Sequence, residues 1–323
     1  MEIASQPIVS DGVLQSFQIC LGITELVAGV LGVAFNIINM IVFFRLGLSD
    51  STNISLAGLA LADIGVSLTM LCYGALNNPL VFRTVSALDA VDAVRYIVLG
   101  ISHILFSRIA GLLTAFISLE RFLCVTWPLH VKSIVTTQRT IFVVLSVYVF
   151  MVSGNIPTWL VNRIGQRLNQ RLNVTTVGLI SSPNAEELEN ITIVINVTVQ
   201  MTSFAIVVVS TACMINSLRK VAEWKKSSNL FTGHTSSRDK QLVRMVVLIS
   251  AVFIVCSFPS VLVNGVMPFF KEFKIKGREK NLFIVTTGFC FMSQLVNAIV
   301  NICIYFSMSS RFRRTCLVMF KFK

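Results

Sequence analysis

A glutamate and an arginine stand side by side in this sequence, as Glu120 and Arg121, just after the mostly apolar stretch 94–117. A stretch of this length can cross a bilayer as a helix, so the charged pair is predicted to lie where that helix leaves the hydrocarbon. Two adjacent opposite charges with little water around them can hold a helix end and later release it to another partner. The pair therefore predicts a conformational switch and not a catalyst.

The composition is that of a membrane protein. The 323 residues are 54% hydrophobic and only 13% charged, whereas a soluble domain is about 25% charged. The formal net charge of +12 would suit a nucleic-acid partner, but basic residues that flank apolar spans usually set membrane topology. We therefore expect a lipid bilayer as the surroundings and no nucleic acid as a partner.

Seven apolar stretches with short connections predict seven transmembrane helices in one bundle. They cover residues 17–44, 54–76, 94–125, 140–160, 191–218, 242–270 and 282–308. The sequence thus divides into an extracellular N-terminus (1–16), a seven-helix domain (17–308) and a short cytoplasmic segment (309–323). This last segment combines Arg311, Arg313 and Arg314 with apolar residues, which predicts an amphipathic helix lying on the inner leaflet.

The charge distribution orients the bundle. With the N-terminus outside, the predicted cytoplasmic segments hold sixteen basic residues against four acidic ones, as the positive-inside rule requires. Two glycosylation sequons, at Asn173 and Asn190, then fall in the outer loop after the fourth span, where glycans can be attached. We expect a multi-pass plasma-membrane protein with its N-terminus extracellular and both asparagines glycosylated.

The triplet E-R-F at Glu120 to Phe122, with Pro128 seven residues after the arginine, resembles the rhodopsin-like (class A) G-protein-coupled receptors. Within that group the run 120–140 looks like the gastropod chemosensory receptors and related invertebrate peptide-type receptors. The resemblance implies a receptor and not an enzyme. Such a receptor would convert the binding of an extracellular ligand, a chemosensory small molecule or a peptide, into activation of a heterotrimeric G protein.

The sixth and seventh spans extend the resemblance. F-I-V-C-S-F-P (253–259) contains a proline that kinks a helix and gives it a hinge, and N-I-C-I-Y (301–305) matches a seventh-helix element. Three positions depart from the family pattern: Ser257 replaces a tryptophan, Ile302 a proline, and Tyr96 the cysteine of the usual extracellular disulfide. The resemblance implies that Asp239 holds the third-helix arginine at rest. The implied switch residues are Glu120, Arg121, Asp239, Phe253, Pro259, Asn301 and Tyr305.

Asp63 lies within the second span, where a lone carboxylate is costly unless it has partners or takes a proton. The resemblance implies that it binds a sodium ion or a proton together with Asn36, Asn297 and Asn301. The alternative is a purely structural network of hydrogen bonds. Ala110 stands where many relatives have a serine ligand.

The ligand residues are expected in the outer half of the bundle. His103 precedes Arg121 by 18 residues, five whole turns, so the two point the same way. The alternative for His103 is a histidine satisfied inside a polar bundle. Arg108 lies deep in the membrane and about 140° round from His103; we expect it to face the fourth or fifth helix near Asn155, or to bind a carboxylate ligand. The resemblance implies these ligand residues: His103, Ser107, Arg108, Asn264, Phe291 and Gln294.

The remaining motifs bear on lipidation, on cofactors and on the competing protein classes. Cys316 is a candidate for palmitoylation, with a free thiol as the alternative. The sequence has no metal-ligand spacing, phosphate loop or catalytic triad order, so no cofactor is expected beyond an ion at Asp63. No lysine is available in the seventh span for a Schiff base, which disfavours an opsin. The competing class is a transporter or channel with a charged path through Glu25, Asp63 and Arg108, although no inverted repeat is evident.

Overall fold

The computed structural model describes residues 7–78, 91, 93–127, 135–169, 174–227, 237–270, 272–273 and 277–320. Its helices are α1 (Asp11–Leu46), α2 (Ser51–Leu76), α3 (Ile101–Thr126), α4 (Thr137–Val161), α5 (Ala185–Ser227), α6 (Ser237–Val266), α7 (Lys280–Met308) and α8 (Ser310–Phe320). A π-helical segment, Arg95–Gly100, leads directly into α3. The first seven helices are long and apolar enough to cross a membrane. The predicted seven-helix bundle with a short C-terminal helix is confirmed.

A β-hairpin between α4 and α5 was not predicted. Strand β1 (Asn162–Asn169) pairs antiparallel with β2 (Val174–Ser181), and Asn162 lies opposite Ser181. The Ser181 hydroxyl donates to Asn162 Oδ1 at 2.7 Å, which closes the base of the hairpin. The hairpin is an ordered part of the connection that was expected only as a loop.

Helix ends follow local capping more closely than apolar content. Helix α1 begins at Asp11, inside the predicted extracellular tail, because Ser10 Oγ accepts a hydrogen bond from the Val13 amide at its start. Asp50 caps α2 in the same way through the Thr52 amide at 3.1 Å. Gly47, with φ of 94°, makes the sharp turn between these helices, a conformation that glycine adopts at little cost.

Helices α2 and α3 are the most enclosed spans, whereas much of α1 and α4 faces outward. Exposed apolar side chains such as Phe142, Val149 and Leu160 on α4 are suited to contact with lipid. Helices α1 and α2 approach closely: a Cβ on Gly29 would come within 2.7 Å of the Leu71 backbone. The interior of the bundle is thus built around α2 and α3, which carry most of the candidate site.

Helix α8 is amphipathic, as predicted. Phe312 and Cys316 are buried in the main core, while Leu317, Val318 and Phe320 are exposed. All eight cysteines lie among the described residues, and all are free. The absence of the extracellular disulfide, expected from Tyr96, therefore agrees with the structure.

Candidate functional site

The inner end of α3 carries the charged pair, and the first turn of α2 holds it. One terminal nitrogen of Arg121 donates to Glu120 Oε1 at 2.5 Å and to Thr52 Oγ1 at 2.8 Å. The Ser51 hydroxyl also donates to Glu120 Oε1, at 2.9 Å. Only 1% of the Glu120 side chain and 11% of the Arg121 side chain are exposed. We call these four residues the inner cluster.

The inner cluster is incompletely satisfied. Glu120 Oε2 and Arg121 Nε are enclosed without a hydrogen-bond partner among the described residues. Enclosed polar atoms without partners cost free energy, so the cluster can be exchanged for contacts that satisfy more of these groups. The side chain of Asp239, expected to hold Arg121 at rest, and Pro128 both lie outside the described part of the chain.

A second polar contact joins α3 to α6 one turn from the charged pair. Ser118 Oγ and Ser250 Oγ lie 2.7 Å apart, and both residues are completely buried. The sequence analysis missed this contact because serines inside apolar spans are common. It is the kind of link that an outward movement of the inner half of α6 would have to break.

A cavity of about 100 Å³ opens at the same end of the bundle. Thr52 of the inner cluster lines it, together with Gln241 of α6, Tyr305 of α7 and Arg311 of α8. The Tyr305 ring lies 5.1 Å from that of Phe43 and 5.5 Å from that of Phe312. The inner cluster thus adjoins a space bounded by residues of α1, α2, α6, α7 and α8.

Asp63 is buried in the centre of the bundle, where it contacts α7. Asn301 Nδ2 donates to Asp63 Oδ2 at 2.8 Å, and the aspartate is 1% exposed. The amide oxygens of Asn297 and Asn301 are enclosed without hydrogen-bond partners among the described residues. The Asp63 carboxylate of α2 and the two unpaired amide oxygens of α7 are together a set of oxygen ligands that suits a hard cation.

Asn36, predicted to join this ion site, makes other contacts. Its Nδ2 donates to the carbonyls of Gly32 and Ala298, both at 3.0 Å, and its Oδ1 accepts from Asn39 Nδ2 at 3.0 Å. Asn36 therefore ties α1 to the backbone of α7, and no hydrogen bond joins it to Asp63 in the part of the chain that the structure describes.

A polar network crosses the outer half of the bundle from α2 to α6. His103 Nδ1 lies 3.2 Å from Thr69 Oγ1, and His103 Nε2 lies 2.9 Å from Gln294 Oε1. Gln294 Nε2 donates to Ser260 Oγ at 2.9 Å, and the Phe291 ring lies 4.2 Å from the imidazole. Both nitrogens of His103 are engaged, as in the alternative of a histidine satisfied within the bundle. The network ends next to the hinge proline.

The sixth helix contains that proline, Pro259, within its span. Phe253, six residues earlier, is buried and packs with Ala115 of α3 and Val207 of α5. Nearer the outer end, Asn264 Nδ2 donates to Gln200 Oε1 of α5 in a very short contact. Asn264 therefore contacts α5 through Gln200, a residue that was not predicted from the sequence.

Arg108 forms no hydrogen bond with Asn155 in the described part of the chain. Asn155, its predicted neighbour, accepts a hydrogen bond from Asn196 Nδ2 of α5 at 3.1 Å instead. Arg108 interacts electrostatically with Cys290 of α7 and with His103. A neighbour of Arg108 on the fourth or fifth helix therefore stays a prediction. Ser107, on the same turn, is half-buried.

The outer end of α3 is tied to the hairpin and to α5 without a disulfide. The Tyr96 hydroxyl interacts electrostatically with the Glu189 carboxylate, and Glu189 Oε1 accepts a hydrogen bond from Asn162 Nδ2 at 2.7 Å. These polar contacts join the same elements that a bridge from the third helix to the outer loop would join.

The predicted modification sites differ in accessibility. Asn190 is exposed in the first turns of α5, which suits a glycan acceptor, while Asn173 lies outside the described residues. Cys316 is 7% exposed and packs in the core, and burial raises the pKa of its thiol. The geometry favours the alternative of a free thiol over acylation.

The missed site residues are polar groups whose partners are distant in sequence. Thr52 and Ser51 follow the capping Asp50, so the capping pattern predicts the start of α2 but not its contact with α3. Thr69, Ser260 and the two serines that join α3 to α6 lie within apolar spans. A search for polar positions facing the bundle interior would have selected them.

The comparisons with known proteins agree with this arrangement. The family described as "7 transmembrane receptor (rhodopsin family)" matches residues 36–301, from within α1 to within α7. A search of curated proteins gave no match. The matched segment includes the inner cluster, Asp63 and the outer network. The chain therefore belongs to the rhodopsin family of seven-transmembrane receptors.

Proposed function

We propose that this membrane receptor, which is not an enzyme, couples an extracellular ligand to nucleotide exchange on a heterotrimeric G protein. Its N-terminus would face the outside of the plasma membrane. The observation that carries the proposal is the inner cluster: a nearly enclosed arginine held by a glutamate and by Thr52 beside a cavity at the inner end of the bundle. Family membership favours this function over the transporter or channel alternative.

Activation would exchange the contacts of Arg121. In the resting arrangement Arg121 is held on α2 and Glu120, and Ser118 is bonded to Ser250. When the inner half of α6 swings about Pro259, the serine pair separates and Arg121 becomes free to contact the G protein. A ligand favours this state only by binding it more tightly than the resting one.

The outer network supplies a route from ligand to hinge. Gln294 bonds both His103 and Ser260, and Ser260 directly follows Pro259. A ligand that hydrogen-bonds to His103 in place of Gln294 would let Gln294 move, and this movement would change the contact between Gln294 and Ser260. We therefore assign ligand contact to His103, Ser107, Phe291, Gln294 and Asn264, with a chemosensory small molecule or a peptide as the ligand.

Asp63 is proposed to bias the same equilibrium through a sodium ion or a proton. Asp63, Asn297 and Asn301 would hold the cation, whose charge would compensate the buried carboxylate. The unpaired amide oxygens support this reading. A rearrangement of Asn301 on activation would then change the affinity for the ion, and the ion would in turn favour one state.

A ligand screen in cells that carry a promiscuous G-protein reporter tests the proposal. Compounds that activate wild-type receptor should fail with Arg121→Ala at equal surface expression, because this variant lacks the switch cation. Ligand-gated current in cells without functional G proteins would instead favour the transporter or channel class. Loss of a glycan on Asn190→Gln would support the proposed outward orientation of the loop.

A further inference from the structure

Arg108 is a cation in the middle of the bundle that no carboxylate in the described part of the chain neutralises. It precedes Arg121 by 13 residues, about 20 Å along α3, and only 8% of it is exposed. It has no hydrogen bond or ion pair with any described side chain, and its Nε is enclosed without an acceptor. A guanidinium does not lose its proton in proteins, so the charge is present at this depth and costs several kcal/mol.

The groups nearest to Arg108 do not supply an opposite charge. His103 is neutral or cationic and has both ring nitrogens engaged. The Cys290 thiol of α7 hydrogen-bonds with Ser260. Each buried carboxylate in the described residues has a different partner. These carboxylates are Glu25 with Asn77, Asp63 with Asn301, Glu120 with Arg121, and Glu279 with Arg278.

Aromatic rings lie against two residues that flank Arg108 on α3, His103 and Gly111. Phe291 stacks near His103, and a Cβ on Gly111, one turn further along α3, would lie 3.4 Å from the Phe253 ring. Of the guanidinium nitrogens, only Nε is fully enclosed without a partner, so the terminal nitrogens keep some accessible surface. An anion with an apolar body would match both the unpaired charge of Arg108 and the aromatic rings of Phe291 and Phe253.

We propose that Arg108 is the anchor for a carboxylate-bearing organic ligand that enters the outer half of the bundle. The carboxylate would accept hydrogen bonds from the guanidinium, and the apolar body would pack near Phe291 and Phe253. The inference rests on the proposed receptor function, since it names the ligand class of that receptor. A ligand-binding role also explains why the receptor retains a charge that destabilises its folded state, because functional residues often lower the stability of a protein.

Stability of the ligand-free receptor separates this role from a structural one. Arg108→Met removes the charge but keeps a long, adaptable side chain. The purified variant in lipid nanodiscs should unfold at a temperature about 2 °C or more above wild type, because the cost of the unpaired charge is gone. The matched control is Arg95→Met on the same span, because Arg95 donates to the Leu76 carbonyl at 2.9 Å; its unfolding temperature should not rise. An Arg108→Met receptor that is no more stable than wild type overturns the proposal.

A pair of probes tests the ligand class directly on wild type. Benzoate and benzamide have the same shape and differ in charge. At equal millimolar concentration benzoate should raise the unfolding temperature more than benzamide in wild type, because it binds the folded state. Arg108→Gln should remove the difference. Equal shifts by both probes in wild type would overturn the assignment.

Failure of the site and failure of the proposed function remain distinguishable. The stability measurements need no G protein, whereas nucleotide exchange needs no carboxylate. A benzoate effect that depends on Arg108, without exchange on any G protein, would keep the site and reject the receptor function. Exchange without a benzoate effect would keep the function and reject the site.

Discussion

Thr52→Val should raise the ligand-independent activity of this receptor. Thr52 accepts a hydrogen bond from Arg121 at 2.8 Å, and it is 4% exposed. Valine has nearly the same shape, so it removes the acceptor without opening a cavity. The Thr52 amide, which bonds to the capping Asp50, is untouched.

The expected rise in basal exchange follows from the charge of Arg121, which is the hydrogen-bond donor to Thr52. Hydrogen bonds to charged groups contribute about 1.5–3 kcal/mol, and Arg121 keeps its contact with Glu120, so the lower end applies. A loss of about 1.5 kcal/mol from the resting state shifts its equilibrium with the active state about tenfold. Basal nucleotide exchange should rise by up to that factor while the resting state still dominates.

The assay is GTPγS binding to purified G protein per mole of receptor, without ligand. Thr24→Val is the matched control, because Thr24 donates only to the Cys20 carbonyl within α1 and is exposed. Its basal rate should equal that of wild type. If Thr52→Val leaves basal exchange unchanged while Arg121→Ala alters it, Thr52 does not restrain the arginine and the description of the resting state is wrong.

Three further predictions follow from the same contacts. Ser250→Ala should raise basal exchange about fivefold, because a neutral hydrogen bond contributes about 1 kcal/mol; an unchanged rate, with Ser153→Ala as the lipid-facing control, would dismiss the α3 to α6 link. Sodium chloride should raise the unfolding temperature of wild type above its value in choline chloride, and Asp63→Asn should abolish the difference; equal sodium effects in both receptors would argue against an ion at Asp63. Maleimide labelling of Cys316 at neutral pH should be slower in folded than in detergent-unfolded receptor, because burial raises the pKa of this thiol and only the thiolate reacts. The difference between the two labelling rates should become smaller as the pH rises. Equal rates for folded and unfolded receptor at every pH would show that Cys316 is accessible.

The sequence was sufficient for features that depend on local composition. Apolar length predicted all seven spans, and the combination of three arginines with apolar residues predicted α8. The adjacent charges of Glu120 and Arg121 predicted a polar group at the inner end of α3. The start of α1 at Asp11 was missed because a polar first turn with a serine cap reads as a tail when only apolar content is counted.

Contacts between helices could not be predicted in the same way. Thr52, Ser250 and Gln200 find partners that packing brings together, and their sequence neighbours carry no sign of it. Asn155, the expected neighbour of Arg108, also finds its partner across helices, in Asn196 of α5. The pairing of β1 with β2 was missed because the whole connection between the fourth and fifth spans was read as a loop.

The central claim is that the inner cluster restrains Arg121 until the receptor engages a G protein. The most direct measurement is nucleotide exchange by purified receptor in nanodiscs with each purified class of heterotrimer. The account predicts that wild-type receptor accelerates exchange on at least one class of heterotrimer and that Thr52→Val accelerates it further. Arg121→Ala should not accelerate exchange on any class. Equal exchange with and without wild-type receptor for every class would contradict it.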